Sequence, residues 1–357
     1  MQVVSPLRTA RVPPHRECGC VPLVVRLCAD CIRKISRTQS ANRESPTVLQ
    51  QAIIVINGKG GTGKTSIVAN LAGLFAAAEY RVLAVDLDPQ GNLGRDLGYL
   101  DMSDGGQSLF SAVMTPGAPL VPLRDIRPGL DVICGGEYIE DLSSALAARS
   151  QRGKETTRAV RDQLAPLAGD YDLILIDCPP GNRPLQQQAL SVAHYALIPT
   201  RSDDASLDGL VRVAELFAAA RETTNPDIEL IGVVLFGIGS RARRIAESAR
   251  STVIRDLGDA TLVFDTEIRH VEGPAQDCRR LGRLVHEIEA ELPDAQRARF
   301  AWLRARRGQG SGRHRPDPES VAAAVNLAAS APHLAGDYQR LAEELLNRLT
   351  KMSEVAV

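Results

Sequence analysis

The feature that most constrains the fold is a glycine-rich turn between an aliphatic run and a helix-forming segment. Residues 52–56 read AIIVI, residues 58–65 read GKGGTGKT, and residues 64–78 are rich in Ala and Leu. The spacing G-x-x-x-x-G-K-[ST] is typical of a phosphate-binding loop, because glycines let backbone N–H groups turn inward where a Cβ would intrude. The sequence therefore predicts a strand, a phosphate-binding loop and a helix, in that order.

The residues of this loop have distinct expected tasks. Lys64 is expected to reach the β- and γ-phosphates of a nucleotide, and the Thr65 hydroxyl is expected to be a ligand of Mg²⁺. The predicted ATP-binding residues are Gly58, Lys59, Gly60, Gly61, Thr62, Gly63, Lys64, Thr65 and Ser66. A plain glycine-rich turn is the alternative, and the strand and helix on either side favour the phosphate-binding loop.

Aliphatic runs alternate with helical patterns along the rest of the chain. Further strands are predicted at residues 82–87, 130–134, 173–177, 195–199 and 230–235. Further helices are predicted at residues 154–167, 207–221, 277–292 and 337–351. Only 4% of the residues are aromatic, so the core must consist of Ala, Val, Leu and Ile. This pattern indicates the α/β class, a doubly wound and mostly parallel sheet with helices on both faces.

Acidic residues stand where two of these strands end. Residues 86–92 read DLDPQGN, and residues 173–181 read LILIDCPPG. In open α/β sheets, ligands bind beyond the carboxyl ends of the strands. We therefore expect Asp86, Asp88 and Asp177 to lie beside the phosphate-binding loop, where carboxylates would hold Mg²⁺.

These segments together resemble the ParA/MinD group of P-loop ATPases. Lys59, in KGGTGKT, resembles the second lysine of the group's deviant Walker A motif, and the similarity extends over about residues 52–289 and the last helix. The resemblance implies that Lys59 reaches the nucleotide of another subunit and that Asp88 orients the attacking water. It also implies that Asp177 holds Mg²⁺ and that Asp86 lies near the metal. Lys59, Lys64 and Asp88 are thus the predicted catalytic residues.

The resemblance to ParA-type partition ATPases also implies a working cycle. ATP with Mg²⁺ would close a homodimer, the dimer would bind DNA without sequence preference, and a ParB-like centromere-binding protein would stimulate hydrolysis and release. The expected location is the cytoplasm, in association with the nucleoid, with no membrane partner.

Arginines are the candidates for DNA contact, because Lys and Arg bind nucleic-acid phosphates. Arg241, Arg243 and Arg244 lie together in SRARR, and Arg269 adds positive charge nearby in the sequence. The family places an arginine that contributes to nonspecific DNA binding at the position of Arg241. Seven further arginines lie in residues 297–315. A solvated helix face and a basic loop remain the alternative interpretation of both groups.

Composition divides the chain into four segments. Residues 1–50 are a basic, Cys-containing extension that we expect to be disordered, and residues 51–292 are the expected ATPase domain. Residues 293–332 are a basic linker or insertion, and residues 333–357 are a helix expected to pack on the domain. The paired thiols Cys18, Cys20, Cys28 and Cys31 allow a zinc site, although a leader without structure is favoured.

Three other functions remain open. A MinD-like positioning ATPase would need an amphipathic basic helix for a membrane surface, whereas the last helix contains Glu343 and Glu344. A metabolic ligase of the dethiobiotin or cobyrinate synthase type shares the P-loop but generally lacks a lysine like Lys59. An iron–sulfur reductase would need two well-placed cysteines per subunit at the dimer axis, whereas Cys134 precedes the strand at residues 173–177, which is the wrong order.

Overall fold

The computed structural model describes residues 48–239, 243–291 and 330–355, and it arranges them around one sheet of eight strands in the order β3-β4-β2-β5-β1-β6-β7-β8. The strands are β1 (Leu49–Val55), β2 (Val82–Asp86), β3 (Leu123–Arg127), β4 (Leu130–Ile133), β5 (Leu173–Asp177), β6 (Ala193–Thr200), β7 (Glu229–Ile238) and β8 (Val263–Arg269). All neighbouring strands are parallel except β3, which is antiparallel to β4.

Helices connect the parallel strands and cover both faces of the sheet. They are α1 (Lys64–Ala77), α2 (Leu93–Leu97), α3 (Gln107–Met114), α4 (Glu137–Gln151), α5 (Ala159–Leu164), α6 (Arg183–Val192), α7 (Asp204–Thr223), α8 (Arg243–Leu257), α9 (Glu272–Leu281) and α10 (Ala331–Val355). Short 3₁₀ turns lie at Leu100–Met102, Ala165–Asp170 and Ala260–Leu262. The prediction of a doubly wound, mostly parallel sheet is confirmed.

Successive residues of each central strand enter different cores. Ile53 and Val55 pack with α1, α9 and α10, whereas Ala52 and Ile54 pack with the helices α3 to α8. Side chains alternate across a strand, so a strand between two helical layers must be aliphatic at every position. This explains why residues 52–56, 82–85 and 173–176 of the central strands are aliphatic throughout.

The parallel pairing brings the functional ends of three strands together. Val55, the last residue of β1, is opposite Asp177 of β5, and Asp177 is in turn opposite Asp86 of β2. The phosphate-binding loop follows β1 directly. The loop and both acids therefore share the carboxyl edge of the sheet, as the sequence indicated.

Two predicted helices differ from the observed ones. The helix expected at residues 154–167 begins only at Ala159, and it ends at Leu164, where a 3₁₀ turn containing Pro166 replaces it. The helix expected at 277–292 is interrupted at Gly282, whose φ is 62°, and the chain becomes helical again from residue 285. A left-handed glycine commonly ends a helix, so Gly282 is the physical reason for the break.

Both outer strands are fixed by side-chain carboxylates. Glu344 of α10 accepts hydrogen bonds from the Asp265 and Thr266 backbone N–H groups of β8, each at 3.0 Å. At the opposite edge, Asp131 accepts from the Asp125 N–H at 2.9 Å, and Asp125 itself has a φ of 54°, which interrupts the pairing of β3 with β4. At both edges of the sheet, backbone N–H groups of the outer strand therefore donate to a side-chain carboxylate.

Candidate nucleotide-binding site

Lys64 lies at the start of α1 with its ammonium group turned into the loop. Its Nζ donates to the Lys59 backbone carbonyl at 2.9 Å, and the side chain is buried. Burial lowers the pKa of Lys64, while the negative charges of Asp177 and Asp88 oppose that shift. A cation in this place, at the amino end of a helix, suits the terminal phosphates of a nucleotide.

Gly63 is the loop glycine at which a side chain would be least tolerated. Its φ is 87°, and a Cβ added there would lie 2.3 Å from the Phe236 ring of β7. Gly61 also has a positive φ, of 75°, but a Cβ there would contact nothing within 4 Å. The loop is thus packed tightly against β7 at one glycine and open at the other.

Asn57 fixes the beginning of the loop. This buried side chain donates to the Pro199 carbonyl of β6 at 2.8 Å and accepts from the Lys59 N–H at 2.8 Å. A Cβ on Gly209 would lie 2.6 Å from its oxygen. Asn57 was not among the residues predicted from the sequence, although its place directly between the aliphatic strand and the first loop glycine was a usable signal.

The side chain of Lys59 lies at the outer rim of the phosphate-binding loop, whereas that of Lys64 lies inside the cradle that the loop forms. Its side chain is partly exposed, and its ammonium group forms an ion pair with Asp203, which follows β6. The backbone amide of Lys59 stays within the loop through Asn57. The two loop lysines therefore point to different places, Lys64 into the cradle and Lys59 away from it.

Asp177 is the acid whose surroundings most clearly call for a cation. It is fully buried, and neither of its carboxylate oxygens has a hydrogen-bond partner within ordinary geometry among the described residues. Burial raises its pKa to about 7, and the neighbouring Thr65 hydroxyl and Lys64 ammonium lower it again in part. A buried carboxylate without partners is unfavourable, and a bound Mg²⁺ would satisfy it.

The other two acids, Asp86 and Asp88, accept hydrogen bonds from backbone N–H groups close to them in sequence. Asp86 accepts hydrogen bonds from the N–H groups of Asp88, at 2.9 Å, and Leu93, at 3.3 Å. Burial and the charge of Asp177 raise the pKa of Asp86 well above its ordinary value. Asp88 accepts from the Gln90 N–H at 2.9 Å. Asp86 thus shapes the loop that presents Asp88, and its contribution near the metal stays a prediction.

A metal in this site would need ligands from outside the carboxylates. Among the residues that the structure describes, no group of three or more His, Cys, Asp or Glu side chains could enclose a metal. Mg²⁺ usually keeps several waters and takes one or two carboxylates plus substrate phosphates. Asp177, the Thr65 hydroxyl and nucleotide phosphates together fit that preference. Ser66, the next residue, donates instead to Asp96 at 3.1 Å.

The candidate DNA-binding arginines are placed unequally. Arg241 lies outside the described residues, and Arg243 begins α8 but its side chain is not described. Arg244 is exposed on the same helix. Arg269 ends β8 beside Ile238 of β7, so it lies at the same carboxyl edge as the nucleotide site.

Arg269 forms an ion pair with the last helix. Its Nε and Nη2 donate to the buried Asp337 at 2.6 and 2.8 Å, and its backbone N–H donates to the same carboxylate at 3.1 Å. Asp337 also pairs with Arg340. The pKa of Arg269 is raised by these hydrogen bonds to Asp337. Arg269 therefore fastens α10 to β8, and its part in DNA binding stays a prediction.

We expect Arg269→Ala to lower the free energy of unfolding by about 1–3 kcal/mol, because it leaves Asp337 buried with fewer partners. Arg244→Ala, at an exposed position, should change it by less than about 0.5 kcal/mol. Urea denaturation of both variants checks this. Equal stabilities would contradict the fastening role of Arg269, and Arg244 is the cleaner of the two for DNA measurements.

The chain matches known proteins over the region that carries this site. A family model described as an AAA domain matches residues 50–230, slightly more than half of the chain. The chromosome partitioning protein ParA of Myxococcus xanthus is 33% identical over 214 residues, which cover 59% of this chain and 74% of that protein. The chain belongs to the ParA-type family of P-loop ATPases.

Other ParA-type relatives show similar agreement. The chromosome partitioning protein ParA of Caulobacter vibrioides is 31% identical over 63% of this chain and 84% of its own length. The chromosome-partitioning ATPase Soj of Thermus thermophilus is 29% identical over 62% of this chain and 84% of its own length. The ParA-type assignment thus rests on relatives from different bacteria.

Solved structures share the fold. Cyanothece McdA has a TM-score of 0.58 at 21% identity and covers 68% of this chain and 95% of its own, which shows the fold alone. Cobyrinic acid a,c-diamide synthase of Mycobacterium smegmatis, solved with ADP and magnesium, has a TM-score of 0.54 at 26% identity and covers 65% of this chain and 92% of its own.

None of the helices that the structure describes in this ParA-type chain combines the length and the apolar character needed to cross a membrane.

Proposed function

We propose that this protein is a DNA-partition ATPase that binds ATP with Mg²⁺, dimerises around it and binds DNA in the dimeric form. The observation that carries the proposal is the outward position of Lys59. Its backbone belongs to the phosphate-binding loop, while its ammonium group lies at the partly exposed rim. A lysine so placed can exchange its exposed ion pair with Asp203 for a nucleotide held by a second subunit, and Lys64 already supplies the cation of its own loop.

The residues divide the work of phosphoryl transfer by position. Lys64 and the loop amides bind the phosphates, Thr65 and Asp177 hold Mg²⁺, and Asp88 orients the attacking water from the loop that Asp86 shapes. Bound Mg²⁺ supplies charge neutralisation on the phosphates. Such catalysis needs positioning and electrostatics rather than a covalent nucleophile.

DNA would bind at the carboxyl edge of the sheet, through the start of α8. Arg244 is exposed there, and Arg241 and Arg243 precede it in sequence. Contacts of this kind read phosphates and not bases. In this proposal a ParB-like partner stimulates hydrolysis, and the protein associates with the nucleoid in the cytoplasm.

The test is binding to a duplex of arbitrary sequence at fixed moderate salt, with ATP and Mg²⁺, with ADP and Mg²⁺, and without nucleotide. The wild-type protein should bind the duplex only in the presence of ATP and Mg²⁺. The Lys59→Ala variant should lose that binding and stay monomeric in gel filtration. Lys154→Ala removes an exposed lysine far along the chain and serves as the charge-matched control. Equal DNA binding under all three nucleotide conditions, or none at all, would refute the proposal.

A P-loop ligase is the second candidate, and the similarity to cobyrinic acid a,c-diamide synthase at 26% identity favours it. A ligase would hydrolyse ATP only in the presence of its carboxylate and amine substrates. It would also show no ATP-dependent affinity for DNA. The binding experiment therefore separates the two functions without knowledge of the ligase substrate.

A further inference from the structure

A buried carboxylate joins the nucleotide site to a surface helix. Asp96 of α2 has a side chain only 6% exposed. One of its oxygens accepts from the Ser66 hydroxyl at 3.1 Å, and the other accepts from Arg279 Nε of α9 at 3.2 Å. Ser66 lies in the first turn of α1, directly after Thr65. Two bonds thus connect the metal-binding end of α1 with an arginine whose side chain is 56% exposed.

The helix that carries Asp96 is itself an extension of the site. α2 begins at Leu93, whose N–H donates to Asp86 at 3.3 Å. The same Asp86 also shapes the backbone at Asp88. A displacement of α2 would therefore change both the loop of Asp88 and the bond to Ser66.

α2 and α9 are held together at a second place. Gly98 and Gly282 end these helices with φ of 72° and 62°, and a Cβ on Gly98 would lie 2.6 Å from the Gly282 carbonyl. Arg127 donates to the Leu97 carbonyl at 2.7 Å and to the Gly282 carbonyl at 3.0 Å. The two helices are thus joined at their carboxyl ends as well as through the ion pair of Asp96 with Arg279.

We infer that Arg279 is a positioning residue for Mg·ATP, acting through Asp96 on Ser66 and the first turn of α1. Without the guanidinium, Asp96 keeps a buried charge and loses its cation, which is unfavourable. The carboxylate then rearranges towards other donors, and its hold on Ser66 changes. Thr65, one peptide bond away, loses its fixed orientation towards the metal. Substrate-positioning groups fixed through such contacts alter binding without touching the substrate.

α9 provides its own matched control. Arg280, the next residue, is 52% exposed, and it pairs with Asp277 within the same helix. Arg280→Ala therefore removes the same charge and a comparable ion pair from the same surface. It leaves the chain of contacts from Arg279 to Ser66 intact.

The test titrates Mg²⁺ and a fluorescent ATP analogue against wild type, Arg279→Ala, Arg279→Lys and Arg280→Ala. Arg279→Ala should weaken Mg²⁺-dependent nucleotide binding about three- to tenfold, which is less than the direct loss of a charged hydrogen bond because Arg279 acts only through Asp96. In hydrolysis the change should fall on KM for Mg·ATP more than on kcat. Arg279→Lys should recover part of the loss, and Arg280→Ala should match wild type.

Ser66→Ala completes the experiment, because Ser66 and Arg279 do not touch each other. If both act through Asp96, the double variant should lose no more binding than the more affected single variant. Additive losses, or Arg279→Ala equal to Arg280→Ala, would overturn the inference. The inference rests on the proposed ATPase, and a wild type that binds no Mg·ATP would overturn both. If the wild type shows ATP-dependent DNA binding and Arg279→Ala binds Mg·ATP as the wild type does, only this inference is overturned.

Discussion

Asp177→Asn should reduce Mg·ATP hydrolysis on the order of 100-fold or more, while the protein without nucleotide stays as stable as wild type or becomes more stable. The two effects have one cause. Asp177 is fully buried, and neither of its oxygens has a hydrogen-bond partner of ordinary geometry in the part of the chain that the structure describes. Its negative charge is therefore unfavourable until a cation binds. Asparagine removes the charge and with it the metal ligand. The measurements are steady-state hydrolysis and the thermal midpoint with and without Mg·ATP.

The same substitution should change how stability depends on pH. Burial raises the folded-state pKa of Asp177 to about 7 from the ordinary 3.8. Between these values the folded protein binds more protons than the unfolded chain, so this residue makes stability fall as pH rises. The advantage of Asp177→Asn in urea should therefore grow from pH 4 to pH 7.

The exposed Asp170→Asn is the charge-matched control and should show no such trend. An Asp177→Asn protein that Mg·ATP stabilises as much as it stabilises wild type would refute the metal-binding role.

Gly63→Ala should weaken nucleotide binding about 100-fold, because two separate penalties meet at this position. The φ of 87° is unfavourable for any side chain, and the new methyl would lie 2.3 Å from the Phe236 ring. The loop must then move away from β7, and its N–H groups no longer converge. Isothermal calorimetry with ATP measures the loss directly.

Two further variants separate the backbone strain from the steric contact with Phe236. Gly153→Ala places a methyl at a φ of 72° with nothing within 4 Å, so it should cost only the backbone strain and leave binding unchanged. Gly63→Ala combined with Phe236→Ala relieves the contact and should regain part of the affinity. A Gly63→Ala protein that binds ATP like wild type would contradict the close packing of the loop on β7.

Much of the site was predictable because it is local in sequence. The loop spacing, the aliphatic strand before it and the acids that end β2 and β5 all lie within short segments. Parallel pairing then brings those segments to one edge, which follows from the fold class alone. The family resemblance rested on the same segments, and the ParA-type relatives confirm it.

The remaining features depend on partners far away in the chain. Asn57 meets Pro199, and Asp96 meets Arg279, across separations that no local pattern reports. The strand β8, VFDTEIR, was missed because its polar residues depart from the aliphatic pattern of the central strands. Two of its backbone N–H groups donate to Glu344, which belongs to a helix much later in the sequence.

The carboxylates that fix β3 and β8 have a consequence for self-association. An open sheet edge is a template on which a strand of another molecule can add. Here Glu344 occupies two backbone N–H groups of β8, and the left-handed Asp125 disrupts β3 at the other end. A neighbouring strand would have to displace α10 or straighten β3 before it could pair. Molecules at high local concentration can therefore lie against one another without their sheets joining through these edges.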